Sequence, residues 1–301
     1  MAKIQGILPV LTTPYLPDGR VDLDSLKHEI EVVKQMGSDG TVLFSIAGEY
    51  FKQNDEEQYQ MLDVAAKTCQ ALDLPLVASV SLRNTYNAIE RVKRYEDAGV
   101  DCVMMLPPMN VGGSELSYHV GAVADAIKIP MMMQYCPSHT GTSLSVDDFL
   151  KMSEGHDNIE YFKVECVPPG PFTTELIERL QKDATIISGY AGMNLVEMYD
   201  RGCVGVMPSV ALNEMYMAVH KAYFAGDRAE ALRIHNLLIP ILNHMGQYSP
   251  AWHWYERDFA HRRGIIKYDA VRHPDYYHDK YMDRMADDYF ELLKPYLPNY
   301  D

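Results

Sequence analysis

Positive charge is scarce in this chain: 27 lysines and arginines stand against 42 aspartates and glutamates, a formal charge of −15 over 301 residues. Nucleic acids and anionic membrane surfaces are recognised through basic faces, so neither is expected as the main partner. Long apolar runs are missing too. Nothing reaches the roughly eighteen consecutive apolar residues of a membrane span, and the opening M-A-K-I-Q-G-I-L-P-V lacks the charged-then-apolar order of a signal peptide. Cysteine is limited to Cys69, Cys102, Cys136, Cys166 and Cys203, an odd set without a C-x-x-C pair. Most lie in apolar runs, which predicts reduced core residues and a cytoplasmic protein. The chain has no H-E-x-x-H, and His253, His261, His273 and His278 near its end read as scattered surface residues, so no metal site is expected.

What is present is a 47% hydrophobic composition, ample for a large core, arranged as a repeating unit. Strand-like runs at 4–13, 40–46, 75–80, 100–106, 129–136, 159–166, 184–189 and 202–208 are each followed by a helical pattern. The helices are expected near 22–36, 54–71, 84–98, 114–127, 145–153, 172–181, 193–199 and 212–225. Alternation of this kind implies a parallel sheet with helices outside, and eight units match a (β/α)8 TIM barrel of the α/β class. An open doubly wound sheet would carry G-x-G-x-x-G after its first strand, where this chain has L-T-T-P-Y. Beyond Gly226 the pattern is helical only, with segments near 227–245, kinked at Pro240, then 252–263 and 275–293. The expected organisation is a catalytic barrel over 1–225 and a helical region over 226–301 packed on it.

The chemistry centres on I-E-Y-F-K-V-E-C, residues 159–166, a β-branched and aromatic run closed by V-P-P-G-P at 167–171. Side chains on a strand alternate faces, so Lys163 and Glu165 point the same way. Burying either charge without a partner or a purpose costs several kcal/mol, by an order-of-magnitude estimate of about 3–5. The plain alternative is a structural ion pair. In a barrel, catalytic groups collect at the C-terminal strand ends, where Lys163 lies. An amine in a dry cavity sheds its proton more easily and can attack a carbonyl to give a Schiff base, and Glu165 can shuttle protons to and from the adduct. Other strand ends offer Gly48 and Glu49, Gln134, Gly189 and Ser209. Gln134, inside M-M-M-Q-Y-C, needs hydrogen-bond partners if buried. Ser209 could instead cap a helix, Gly189 could instead serve a turn, and Tyr135 should face away and pack.

G-I-L-P-V-L-T-T-P-Y with P-D-G, A-G-E in the second loop, P-S-H-T-G after the fifth strand, Y-F-K-V-E on the sixth and G-V-M-P-S after the eighth together resemble the dihydrodipicolinate synthase and N-acetylneuraminate lyase family of class I aldolases. The resemblance covers essentially the whole chain. It implies a barrel, usually assembled as a homotetramer, in which Lys163 forms a Schiff base with a 2-oxo acid such as pyruvate. It also implies that backbone N–H groups at Ile46 and Ala47 hold the substrate carboxylate. The chain departs from that family where two threonines are usual, at Ile46 and Ala47, and where a tyrosine is usual, at Gln134. A second tyrosine is replaced in the Pro108–Met109 region, and a loop arginine by His139. The hydroxyl relay of the synthase and the lyase is therefore absent. Glutamine at 134, K-x-E at 163–165 and D-A-V-R-H-P at 269–274 are similar instead to the 2-keto-3-deoxyarabonate dehydratase-like subgroup.

The expected activity is thus a lyase acting on a 2-keto-3-deoxy sugar acid, with Lys163 as nucleophile, Glu165 as acid and base, and Gln134 ordering a water. Ser138, His139 and Ser209 are candidates for the sugar hydroxyls, beside Gly189 at the seventh strand end. Dehydration at C3–C4 is the first expectation and retro-aldol cleavage to pyruvate and an aldehyde the second. An inactive barrel that binds a 2-oxo acid is a third reading. No cofactor is needed, because the imine nitrogen is itself the electron sink.

Overall fold

The structure, a computed structural model, describes residues 3–82, 84–180, 185–274 and 278–300. Eight strands run parallel: β1 (Gly6–Ile7), β2 (Thr41–Leu43), β3 (Leu76–Val80), β4 (Cys102–Met105), β5 (Met131–Tyr135), β6 (Ile159–Val164), β7 (Thr185–Ser188) and β8 (Gly205–Val206). Hydrogen bonding joins them in the order β1-β8-β7-β6-β5-β4-β3-β2. Val10 closes the ring by bridging both Val42 and Ser209, with Leu11 N–H donating to the Val42 carbonyl at 2.9 Å. The (β/α)8 barrel is the expected fold.

Each strand leads into a helix: α1 (Leu23–Gln35), α2 (Asp55–Leu72), α3 (Thr85–Ala98), α4 (Gly113–Ala124), α5 (Val146–Ser153), α6 (Pro169–Arg179), α7 (Leu195–Asp200) and α8 (Asn213–Phe224). Their starts are set by local chemistry. Asp22 accepts from Ser25 N–H ahead of α1, and reciprocal capping boxes pair Asn54 with Glu57 and Ser145 with Asp148 ahead of α2 and α5. α6 begins at Pro169, inside the expected breaker, because the first turn of a helix needs no N–H donors and proline suits it. Its expected last residue, Gln181, and the expected start of β7, Ala184, lie outside the described residues. A short helix at Pro137–Thr140 was not anticipated.

Three more helices follow: α9 (Arg228–Met245), α10 (Ser249–Arg262) and α11 (Lys280–Leu293). α9 runs through Pro240, which lies on its exposed side, where the carbonyl that proline leaves without a donor faces water. The expected start of the last helix, Asp275, lies outside the described residues. Among the described residues no helix is long and apolar enough to cross a membrane. All five cysteines are free and buried.

Two apolar clusters divide the interior. The larger fills the space between strands and helices, and includes Tyr135, whose hydroxyl accepts Leu144 N–H at 3.1 Å. The smaller lies inside the barrel and includes Ile4, Leu8, Val42, Val77, Met104, Met132, Tyr161 and Ile187. Met132 and Tyr161 stand two residues before Gln134 and Lys163, so the barrel is plugged by apolar side chains up to the level where those two polar groups begin.

Two buried arginines and one half-buried arginine tie the last part of the chain to the barrel. Arg257 donates to the Thr13 carbonyl at 2.6 Å, Arg263 to the Ala211 carbonyl at 2.5 Å, and Arg272 to the Lys52 carbonyl at 2.7 Å and to Glu57 at 2.7 Å. Between them lie two buried carboxyls. Glu29 of α1 accepts from the Thr12 N–H at 2.8 Å and the Thr12 hydroxyl at 3.1 Å, and Glu256 accepts from Ala211 N–H at 2.9 Å. Burial pushes Glu29 up to about 8 and Glu256 up to about 7, against the pull of those donors. A carboxyl whose folded pKa exceeds its unfolded value holds extra protons in the fold, so its contribution to stability is complete at low pH and is lost as pH rises toward the folded value. Glu29 alone sets a slope of at most about 1.4 kcal/mol per pH unit within that window. Glu29→Gln, which keeps the Thr12 acceptor, should flatten the loss of urea stability between pH 5 and pH 8. An unchanged slope would place the proton elsewhere.

Candidate active site

β5 and β6 set the floor of the candidate site. Their register places Gln134 directly opposite Lys163, both facing the barrel axis. Glu165 follows β6 on the same face, and the Lys163 Nζ lies 3.1 Å from its Oε1. The Gln134 amide Nε2 donates to Glu165 Oε2 at 2.6 Å, and the Tyr190 N–H donates to Oε1 at 3.1 Å. Both carboxylate oxygens therefore have donors. Burial pushes the Glu165 carboxyl up, but the Lys163 ammonium, the Gln134 amide and the Tyr190 N–H outweigh it and hold the group below the usual carboxylate range. Glu165 is accordingly an ionised base in the resting site. Gln134 Oε1 is buried and has no partner among the described residues, which leaves an acceptor open at the floor of the candidate site.

Glycine at 189 has a specific cause. Its backbone is extended (φ −105°), so no turn demands it. A Cβ there would lie 2.0 Å from Glu165 Cγ and 2.6 Å from Glu165 Oε1. Gly189 does not line the cavity. It makes room for the side chain of Glu165.

The cavity above Lys163 has a volume of about 480 Å3, a size that takes a small acid of several carbons. Its wall includes Lys163, Glu165 and Gln134, the second-loop residues Ser45, Ile46 and Ala47, and Ser138, His139 and Ser209. Among the described residues, neither Ile46 N–H nor Ala47 N–H has an acceptor within the chain. Ser138 Oγ is 3.6 Å from Cys136 Sγ. His139 Nε2 is 3.3 Å from the Tyr50 hydroxyl, and burial pulls its pKa below the ordinary value, so the ring stands as a neutral imidazole. The Ser209 hydroxyl donates to Glu256, so its proton is committed to the helical region and it caps no helix. Glu49 is fully buried outside the cavity wall, paired with Lys52 at 2.9 Å and Arg257 at 2.5 Å.

The far wall was not anticipated. It comes from the end of α9, the turn after it and α10, through Asn243, Gln247, Ser249, Trp252 and His253. His261 and His273 are exposed as expected, but His253 is not a surface residue. It is buried, and its Nε2 lies 3.1 Å from the Ile46 carbonyl. Its i, i+4 relation to Arg257, on one face of a helix, was the only signal the sequence offered.

Comparison with known proteins identifies the family. The sequence pattern of the dihydrodipicolinate synthetase family matches residues 3–278. A 4-hydroxy-tetrahydrodipicolinate synthase from Methanosarcina acetivorans is 29% identical over 244 residues, covering 79% of this chain and 81% of that protein. The structure of the 4-hydroxy-tetrahydrodipicolinate synthase from Methylacidiphilum fumariolicum SolV superposes with a TM-score of 0.89 at 23% identity, covering 97% of both chains. A prophage protein of the dihydrodipicolinic acid synthase family from E. coli K12, solved in complex with pyruvate, superposes with a TM-score of 0.87 at 20% identity, covering 96% of this chain and 98% of that one. With a match that spans nearly its whole length, the chain belongs to the dihydrodipicolinate synthetase family of class I aldolases and lyases.

Proposed function

We propose that the protein is a Schiff-base lyase that dehydrates a 2-keto-3-deoxy sugar acid. The observation that carries this reading is the carboxylate of Glu165, 3.1 Å from the Lys163 amine and aligned by Gln134. Tyr190 and Tyr248 also line the cavity, but Glu165 is the proton carrier paired directly with the Lys163 amine.

In the proposed sequence Glu165 takes a proton from the Lys163 ammonium, and the free amine attacks C2 of the substrate. Loss of the carbonyl oxygen as water leaves an iminium at Lys163. The substrate carboxylate rests on the Ile46 and Ala47 N–H groups, charge on open donors. Glu165 then removes the C3 proton, the C3–H electron pair moves into an enamine, and the protonated carboxyl gives its proton to the C4 hydroxyl. That hydroxyl departs as water, a C3=C4 bond forms, and hydrolysis returns the lysine. One carboxyl serves both transfers because C3 and the C4 oxygen are adjacent to it in turn. The hydroxyls of the distal carbons would meet Ser138, His139 and Ser209.

The same imine supports a second reading, favoured by the pyruvate bound to the E. coli relative. If Glu165 takes the C4 hydroxyl proton instead, C3–C4 breaks, an aldehyde leaves, the electron pair forms an enamine on Lys163, and Glu165 returns the proton to C3 before hydrolysis releases pyruvate and the lysine.

Four experiments test these statements. Borohydride treatment in the presence of pyruvate should fix a stable adduct at Lys163, located by peptide mass mapping; an unlabelled Lys163 would sink both lyase readings. With 2-keto-3-deoxy acids as substrates, a lactate dehydrogenase couple should detect no pyruvate while a dehydrated 2-oxo product accumulates, and stoichiometric pyruvate would instead favour cleavage. Glu165→Gln should keep the borohydride adduct and lose roughly 100-fold or more in kcat. Gly189→Ala, by displacing Glu165, should also keep the adduct and lose on the order of 100-fold in kcat. Near-wild-type turnover in either variant would remove Glu165 from its role.

A further inference from the structure

The Ile46 carbonyl accepts two hydrogen bonds, from Glu49 N–H at 3.0 Å and from His253 Nε2 at 3.1 Å. A carbonyl oxygen has no proton to give, so Nε2 carries the ring hydrogen and donates it. That carbonyl and the Ala47 N–H are the two ends of one planar, conjugated peptide group. Electron density drawn toward the oxygen leaves the N–H more positive, and bonds linked through such a group strengthen one another. Ala47 lines the cavity and its N–H has no acceptor in the chain among the described residues.

We infer that His253 is a positioning residue for the substrate carboxylate: by donating to the Ile46 carbonyl it fixes the plane of the 46–47 peptide and sharpens the Ala47 N–H as an anion donor. The inference rests on the Schiff-base reading above. It assigns to a helix near the end of the chain a part in recognising the charged end of the substrate.

The surroundings of the ring fit this role. His253 Nδ1 lies 3.7 Å from Glu49 Oε1, and the other charged groups around it are Lys52 and Arg257. Anchorage of the loop itself does not need His253. Arg257, one turn further along α10, grips Glu49 at 2.5 Å and the Thr13 carbonyl at 2.6 Å, and the Thr13 hydroxyl donates to the Gly48 carbonyl at 2.5 Å. His253 adds a contact to one peptide oxygen, and that oxygen belongs to the group facing the cavity. Ile46 and Ala47 have no side-chain hydroxyl to offer an anion, so the peptide N–H must serve, and a polarised one serves better.

The test separates the carboxylate from the rest of the substrate. Borohydride trapping at Lys163 is titrated with pyruvate and with methyl pyruvate, which keeps the reactive ketone and lacks the negative charge. In His253→Phe, which retains an aromatic ring and loses the donor, the pyruvate concentration for half-maximal trapping should rise about threefold, because the Ala47 N–H bond to the carboxylate loses the polarisation and the fixed peptide plane that the His253–Ile46 bond gives it. The methyl pyruvate value should not move. His253→Gln, whose amide N–H can donate to the same carbonyl, should recover most of the preference for pyruvate. Equal weakening toward both ketones would make His253 a packing residue, an unchanged pyruvate value would remove it from carboxylate binding, and a glutamine variant without the preference would overturn the inference even if the phenylalanine variant does not fold. A wild-type protein that traps neither ketone would refute the Schiff-base reading itself, which is a different failure.

Discussion

The ion pair between Lys163 and Glu165 is the constraint around which the barrel's upper end is built. Two opposite charges with little access to water are expensive to keep unless each remaining lone pair and proton finds a partner. Glu165 has three donors: the lysine, the Gln134 amide and the Tyr190 N–H. Each comes from a different place, β6, β5 and the turn after β7. The parallel register is what brings them together, since shifting β5 against β6 by one residue would turn Gln134 away from the axis. Even the backbone beside the pair is shaped by it, because Gly189 has no side chain only where Glu165 passes. A pair needed solely for stability could be replaced by apolar packing at little cost. That so many elements converge to keep this one charged and beside a cavity argues for chemistry.

The helical region has a matching logic at the cavity's other side. One face of α10 presents His253, Glu256 and Arg257, which between them meet the loops after β1, β2 and β8. His253 reaches the Ile46 carbonyl, Glu256 takes the Ala211 N–H, and Arg257 joins Thr13 to Glu49. A second-loop turn of small and apolar residues, I-A-G, would otherwise have few internal contacts to fix its peptide planes. The His253 ring supplies one, to the Ile46 carbonyl. The helices after the barrel thus complete the site, with Trp252 and Ser249 on the same wall.

How much of this could be read from the sequence follows from the range of the interactions. Strand periodicity is two residues, so the shared face of Lys163 and Glu165 is a local fact, and so is the repetition of strand and helix that implies eight units. The need for a partner at Gln134 was legible, but its identity was not, because register between neighbouring strands depends on the closed barrel and not on either strand's own pattern. The start of α6 at Pro169 was misjudged for a different reason: proline breaks a helix interior and suits its first turn, and V-P-P-G-P does not say which applies. Gly189 could be seen as a special position, yet its cause, a side chain 24 residues earlier in the sequence, is a matter of three-dimensional crowding.

His253 shows where sequence patterns stop carrying information. The bond from its ring to Ile46 spans 207 positions. Its flanking residues, Trp252 and Trp254, do not show which face of the helix is covered, since nothing nearby predicts that the loop after β2 lies over the His253 face. The consequence for specificity is physical. On the proposed reading, the floor of the cavity, from β5 and β6, would decide where protons move, and the wall from α9 and α10 would decide which substrates fit above it. A site divided in this way can change its substrate by altering residues such as Asn243, Gln247 and Trp252 without disturbing the ion pair beneath, because the two sets are carried by separate elements. On that reading, such a separation would let one lysine chemistry serve different acids.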